Sequence, residues 1–269
     1  MRPFRLFFAL VLPLLAACAT PPPASQPEAL AAYRETNDPL EPTNRVLYEV
    51  SNDIADVSLS PAARAYRWAL PEPVRNSVAN VLSNLGSPIR FANDVMQTKS
   101  RRSGDTLMRF LINSTIGIGG IFDIAGGWGY PAHPSDFGMT LAVWGVPAGP
   151  YLFLPLLGPS DPRDTVGFGV DTAGNPVRAL GSGPAIIAFN WATLGTTTVS
   201  AYAQNLPAIN EVKRTALDPY ATFRSLYRQH RQAQIEAAKQ GRTATIPVWF
   251  SLPPKQPSAE QPSAKQPSE

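Results

Sequence analysis

Cys18, the single thiol in the chain, directly follows Leu15-Ala16-Ala17, and these residues close an apolar run headed by Arg2 and Arg5. Positive charge, then a greasy stretch, then small residues is the layout of a bacterial export signal. A cysteine at the end of such a signal is where a diacylglyceryl thioether is attached, and a lone cysteine has no intramolecular disulfide partner. Residues 1–17 therefore read as a lipoprotein signal peptide. Residues 18–36 read as a lipid anchor at Cys18 and a tether, because TPPPASQPEA is too polar and proline-rich to build a core. Removing the signal takes the formal charge from +3 to +1, 21 basic against 20 acidic residues, which leaves no basic surplus for nucleic acid.

The other residues able to do chemistry are sparse. His133 and His230 are the two histidines, and with one acylated cysteine they assemble no Cys/His metal set. His133 and Asp136 flank a turn, and Asp161 and Asp164 bracket Arg163, so acid–base or metal roles are conceivable for either group. Aspartates beside proline and serine are more commonly turn and N-cap residues. No G-x-S-x-G elbow or phosphate-binding loop appears. In GIGGIFDIAGG, from Gly117, a dinucleotide fingerprint would need glycine where Phe122 stands. The sequence nominates no catalytic residue, no metal and no cofactor.

The elements that would hold these residues are helical in period. Val74, Val78, Val81, Leu82 and Leu85 form a stripe that begins at Pro73 and stops at Gly86. A second helix starts at Pro88. KSRRSGD, a basic turn, leads into a third helix through Leu107, Phe110 and Leu111. Asp218 caps a C-terminal helix with Tyr220, Phe223, Leu226 and Tyr227 on one side. Arg224, Arg228 and Arg231 lie on another side, which is either solvated or turned to anionic lipid headgroups. The expected fold class is mainly α, a single domain over residues 37–240, followed by a disordered Pro-rich tail at 241–269 with its QPSA repeats.

Between Phe110 and Asn210 there are 7 charged residues in 101, and the windows 137–160 and 179–210 have none. A water-facing surface needs more charge than that. Neither window makes a good spanning helix. The first, with WGVPAGPYLFLPLLGPSDPRD at 144–164, is broken by prolines, and the second mixes in Asn190, Thr196, Thr197 and Thr198. The reading that fits is a bundle of short helices lying within one leaflet, with prolines turning the chain between short apolar elements. Trp128, Trp144, Tyr151 and Trp191 suit either the headgroup level of a membrane or the core.

Several blocks resemble the MlaA (VacJ) lipoproteins. They are Asn37-Asp38-Pro39-Leu40-Glu41 with Asn44-Arg45, Asn113 through Gly120 with Asp123 and Ala125, and Asp136-Phe137-Gly138. Trp144-Gly145-Val146, Gly149-Pro150-Tyr151, Gly158-Pro159-Ser160, Arg163-Asp164 and Asp218-Pro219-Tyr220 continue the match to about residue 231. Pro42-Thr43 and the QPSA tail depart from it. The resemblance implies an outer-membrane lipoprotein at the periplasmic face, a helical ring seated in the inner leaflet, often beside trimeric porins. It implies an amphipathic channel that removes misplaced phospholipids from the outer leaflet and passes them to a soluble periplasmic carrier, with no enzymatic step. Asn113, Gly117, Gly119, Gly120 and Asp123 become candidates for the channel or its gate, although tight helix packing suits the glycines equally. Ala19 after the cysteine resembles outer-membrane sorting in enteric-type bacteria. A porin adaptor that moves no lipid is the alternative, and a membrane-seated lipid hydrolase would need a nucleophile with a histidine partner.

Overall fold

Prolines punctuate this chain at helix starts. The computed structural model describes residues 25–27, 38–175 and 183–243. Cys18, the signal peptide and the QPSA repeats lie outside those residues. In chain order the elements are α1 (Glu41–Val57), α2 (Leu59–Ala69), α3 (Glu72–Leu85), α4 (Ser87–Met96), α5 (Ser100–Thr115), α6 (Ile124–Gly127), α7 (Phe137–Val143), β1 (Leu152–Leu154), β2 (Gly158–Ser160), α8 (Pro162–Ala173), α9 (Pro184–Thr215) and α10 (Pro219–Lys239). A proline sits in the first turn of α1, α3, α4, α8, α9 and α10, where its missing N–H costs nothing. Aspartates accept from the first turn of α6, α7, α8 and α10 as N-caps. Asp136 and Asp161 are two of them, in the capping role their sequence neighbours suggested.

Contacts between elements close into a circuit. α1 touches α2, α2 touches α9, α9 touches α3, and α3 touches α4. From α4 the path runs through α7 to α10, then through β2 and β1 back to α1. The mainly α bundle expected from sequence is present, with two long members. α9 fills most of the second charge-free window with 32 residues, about 48 Å of helix at 1.5 Å per residue. No described helix is long and apolar enough to cross a membrane. The proline-rich segment 144–164 holds loops, the antiparallel pair β1–β2 with Leu152 opposite Ser160, and the start of α8. Strands of three residues are too short to show alternation, which is why the hairpin is invisible in sequence.

The packing is inverted relative to a water-soluble domain. Among the described residues 20 polar or charged side chains are buried against 14 apolar ones, and seven of the 14 are alanine, whereas 28 large apolar side chains are exposed. α1 illustrates the pattern. Val46, Val50, Ile54 and Val57 form an outward stripe, while Asn44 and Ser51 are buried. KSRRSGD is likewise not a turn: α5 begins at Ser100, and Arg102 points inward with no exposed surface because a buried carboxylate on α4 draws it in.

Candidate functional site

That carboxylate, Asp94, organises the first of three polar clusters. Arg102 Nε lies 3.4 Å from Asp94 Oδ1, Thr106 Oγ1 donates to Oδ2 at 2.6 Å, and His133 Nε2 meets Oδ2 at 2.9 Å. The Arg102 guanidinium also donates to Arg242 O and Pro134 O, each at 2.6 Å. Burial pushes the Asp94 carboxyl up, but the hydrogen bonds from His133 and Thr106 outweigh it and hold the group below the usual carboxylate range. Thr106, His133 and Asp94 have the residue types of a nucleophile–base–acid set without its geometry. Both partners meet the same ring nitrogen, and His133 Nδ1 has none among the described residues.

Two further clusters tie the ends of the circuit. Asn44 donates to Asp38 at 2.8 Å and to Tyr151 O at 3.1 Å, and accepts from Phe153 N at 2.9 Å, joining α1 to β1. Arg224 of α10 pairs with Asp38 at 2.6 Å and Glu41 at 3.3 Å, and Arg45 pairs with Asp218 at 2.6 Å. On the next turns of α10, Arg231 bridges Asp136 at 2.7 Å and Asp164 at 2.6 Å, and the Tyr227 hydroxyl donates to Asp164 at 2.8 Å. Arg231 holds Asp164 below the usual carboxylate range against the upward push of burial. Arg224 and Arg231 thus turn away from bulk water. They pair with carboxylates inside.

Between α9, α10 and the hairpin lies a cavity of about 640 Å³. Leu156 and Leu157 line it from the hairpin tip, Tyr202 and Ile209 from α9, and Phe223 and Leu226 from α10. Thr198, Asn205, Gln229 and His230 add polar groups to this apolar wall. Burial, and then the neighbouring Arg231, lower the His230 pKa below its ordinary value, which favours the neutral ring. Tyr227 lines this cavity and also a smaller one of about 120 Å³, whose wall includes Asp161, Arg163, Arg228 and Gln232. An apolar hollow beside a charged one is the shape a molecule with chains and a polar head would need.

A family model described as MlaA lipoprotein matches residues 36–234. The intermembrane phospholipid transport system lipoprotein MlaA of Haemophilus influenzae is 33% identical over 211 residues, 76% of this chain and 82% of that protein. The chain belongs to the MlaA lipoprotein family. The Escherichia coli MlaA lipoprotein agrees at 33% identity over 198 residues, 72% of this chain and 76% of its own. A solved structure described as the structural basis for maintenance of bacterial outer membrane lipid asymmetry superimposes with a TM-score of 0.61 at 28% identity, over 75% of this chain and 98% of that one.

Set on this MlaA-family fold, the residues singled out by sequence fall in three places. Asn113, Gly117, Gly119, Gly120 and Asp123 come together around the end of α5, and none lines either cavity described above. Asn113 accepts from Ala125 N and donates to Asp123, both at 3.0 Å, and Arg109 donates to Asp123 at 2.9 Å. A Cβ at Gly117 would lie 2.4 Å from Phe122 O, and one at Gly120 (φ 96°) 2.6 Å from Asn84 Cβ. Close packing is the geometric reason for both glycines. Trp128, Trp144 and Trp191 are exposed, and the Trp144 indole N–H is already satisfied by Met96 O at 3.1 Å. Tyr151 corrects the interface expectation: it is 3% exposed, edge-on to Tyr220 and Tyr227 in an aromatic cluster, because the Asn44 link pulls its backbone inside. Of the cavity wall, the sequence had already grouped Phe223, Leu226 and Tyr227 on one side of α10. The α9 wall left a trace as the charge-free window. Arg102 left none, since it sits in a basic run that reads as solvated.

Proposed function

We propose that this protein is a non-enzymatic phospholipid conduit of the outer membrane. Its apolar outer faces sit in the inner leaflet, at the periplasmic side, and its cavity takes up the acyl chains of misplaced phospholipids before they pass to a periplasmic carrier. The observation that carries the reading is the half-open 640 Å³ apolar hollow in a chain whose exterior is also apolar. At about 0.8 kcal/mol per methylene, bringing roughly thirty methylenes into water costs on the order of 25 kcal/mol, so unassisted escape is negligible. A conduit removes that barrier by keeping the chains covered. The charged cavity across Tyr227 supplies polar partners of both signs for a headgroup. Acylation at Cys18 would hold the domain at the membrane, and porins would be its neighbours there.

The experiment is to fill the cavity. Ala201→Trp places a large ring in the hollow while leaving the polar clusters intact. The expected result is a folded, membrane-localised protein that no longer co-purifies with phospholipid and leaves phospholipid exposed on the cell surface. Wild-type surface lipid in a strain carrying the folded variant would overturn the conduit and favour a porin adaptor, for which the hollow is idle.

A further inference from the structure

α9 continues through a residue that normally interrupts a helix. Pro207 lies inside it, and a proline there has no N–H for the carbonyl four residues earlier, Ala203 O. Arg67 of α2, 136 positions away in sequence, donates from Nη1 to that same oxygen at 3.1 Å. In an apolar setting a carbonyl without its helical donor is costly, and a guanidinium reaching across from a neighbouring helix satisfies it. The preceding turn is also softened. Asn205 donates from its side chain to Ala201 O at 2.8 Å, a local bond that competes with the helical ladder.

The two sides of this step are held differently. Before it, Ser200, Ala203 and Leu206 are buried, and Ala203 and Leu206 pack on Ala63 of α2. After it, the ties back to α1 are Lys213 to Asp56, 3.1 Å apart with the Asp56 side chain 58% exposed, and, just past the end of α9, Arg45 to Asp218 at 2.6 Å, both side chains more than a third exposed. The cavity wall spans the joint, with Ala201, Tyr202 and Asn205 before Pro207 and Ala208, Ile209 and Val212 after it. A bend of about 20° at the joint swings the end of an eight-residue arm, roughly 12 Å long, by about 4 Å, which is one carbon–carbon contact distance.

We infer that α9 is a two-segment wall hinged at Pro207, its fixed side held by the Arg67 bond to Ala203 O, and that movement of its C-terminal segment admits acyl chains to the cavity. Arg67 is a positioning residue: it acts on the wall and not on the lipid. The inference rests on the conduit reading above, and the test separates the two.

Pro207→Ala restores the missing N–H and stiffens the joint, whereas Pro207→Gly restores the N–H and keeps the joint soft. Each is combined with Arg67→Met in the full chain, purified in detergent. Two quantities are measured: the unfolding equilibrium, and uptake of fluorescent phosphatidylethanolamine from vesicles of phosphatidylethanolamine and phosphatidylglycerol. Arg67→Met is expected to shift the unfolding equilibrium roughly fivefold in the chain that keeps Pro207, and much less in the Pro207→Ala and Pro207→Gly backgrounds, where the carbonyl has its own donor. Uptake is expected to slow several-fold in Pro207→Ala, despite equal or greater stability, and to stay near wild type in Pro207→Gly. An Arg67 effect of equal size in all backgrounds overturns the role of Arg67 as the replacement donor. Equal uptake by the Pro207→Ala and Pro207→Gly variants overturns the hinge. A wild-type chain that takes up no phospholipid overturns the conduit, and the hinge with it.

Discussion

Where α4, α5 and α7 meet, the interior is a polar seam running from Asp94 through Arg102, Thr106 and His133 to Gln97 and Thr140. Where α9 faces α10 and the hairpin, it is an apolar hollow, and the C-terminal part of α9 is tied to α1 through a part-exposed ion pair. The contrast shows what holds a protein together when its outside is apolar. Apolar side chains gain nothing by moving from lipid into a core, so cohesion falls to polar groups that have no water and must satisfy one another. On the conduit reading the seam is the rigid half and the hollow the half that changes.

Breaking the seam should have the largest effect. Arg102→Met leaves Asp94 buried without its guanidinium and frees two backbone carbonyls, a loss of about 3–5 kcal/mol. Denaturant unfolding in detergent should show it as little or no folded protein, and a loss under about 1 kcal/mol would mean that the seam is not what holds this half.

Next comes the glycine turn after α5. Gly120→Ala puts a Cβ against Asn84 at a positive φ, so a loss of about 2–3 kcal/mol is expected, with phospholipid uptake per folded molecule unchanged. A stable variant with altered uptake would move the proposed gate from α9 to this turn and reverse the proposed assignment of rigid and mobile halves. The smallest effect belongs to the ion pair between the C-terminal part of α9 and α1. Lys213→Met should change stability by no more than about 0.5 kcal/mol, because Asp56 is largely exposed. A loss several times larger would show that the α9 arm is held as firmly as the seam.

Much of the architecture was legible along the chain. Pro73 and Gly86 bracket α3 to within a residue, Pro88 marks the start of α4, and Asp218-Pro219 announces α10, since caps and proline starts are local effects. The candidate site was legible in part. The aromatic side of α10 and the charge-free run of α9 both supply cavity wall, yet nothing in either says that they face each other. The glycine-rich stretch drew attention because its spacing resembles a fingerprint, and its geometry is that of a tight turn.

By itself the sequence determined the mainly helical chain, several helix boundaries, and an exterior suited to something other than water. These follow from composition and short-range periodicity. The tertiary structure alone decided that Arg102, Arg224 and Arg231 turn inward, that Tyr151 is buried, and that a carbonyl orphaned by Pro207 is satisfied from α2. Each depends on a partner 8 to 186 positions away, as with Asp94 for Arg102 and Asp38 for Arg224. Charge and proline are local facts, but where a charge is neutralised, and which donor replaces a lost N–H, is settled by which helices the fold brings side by side.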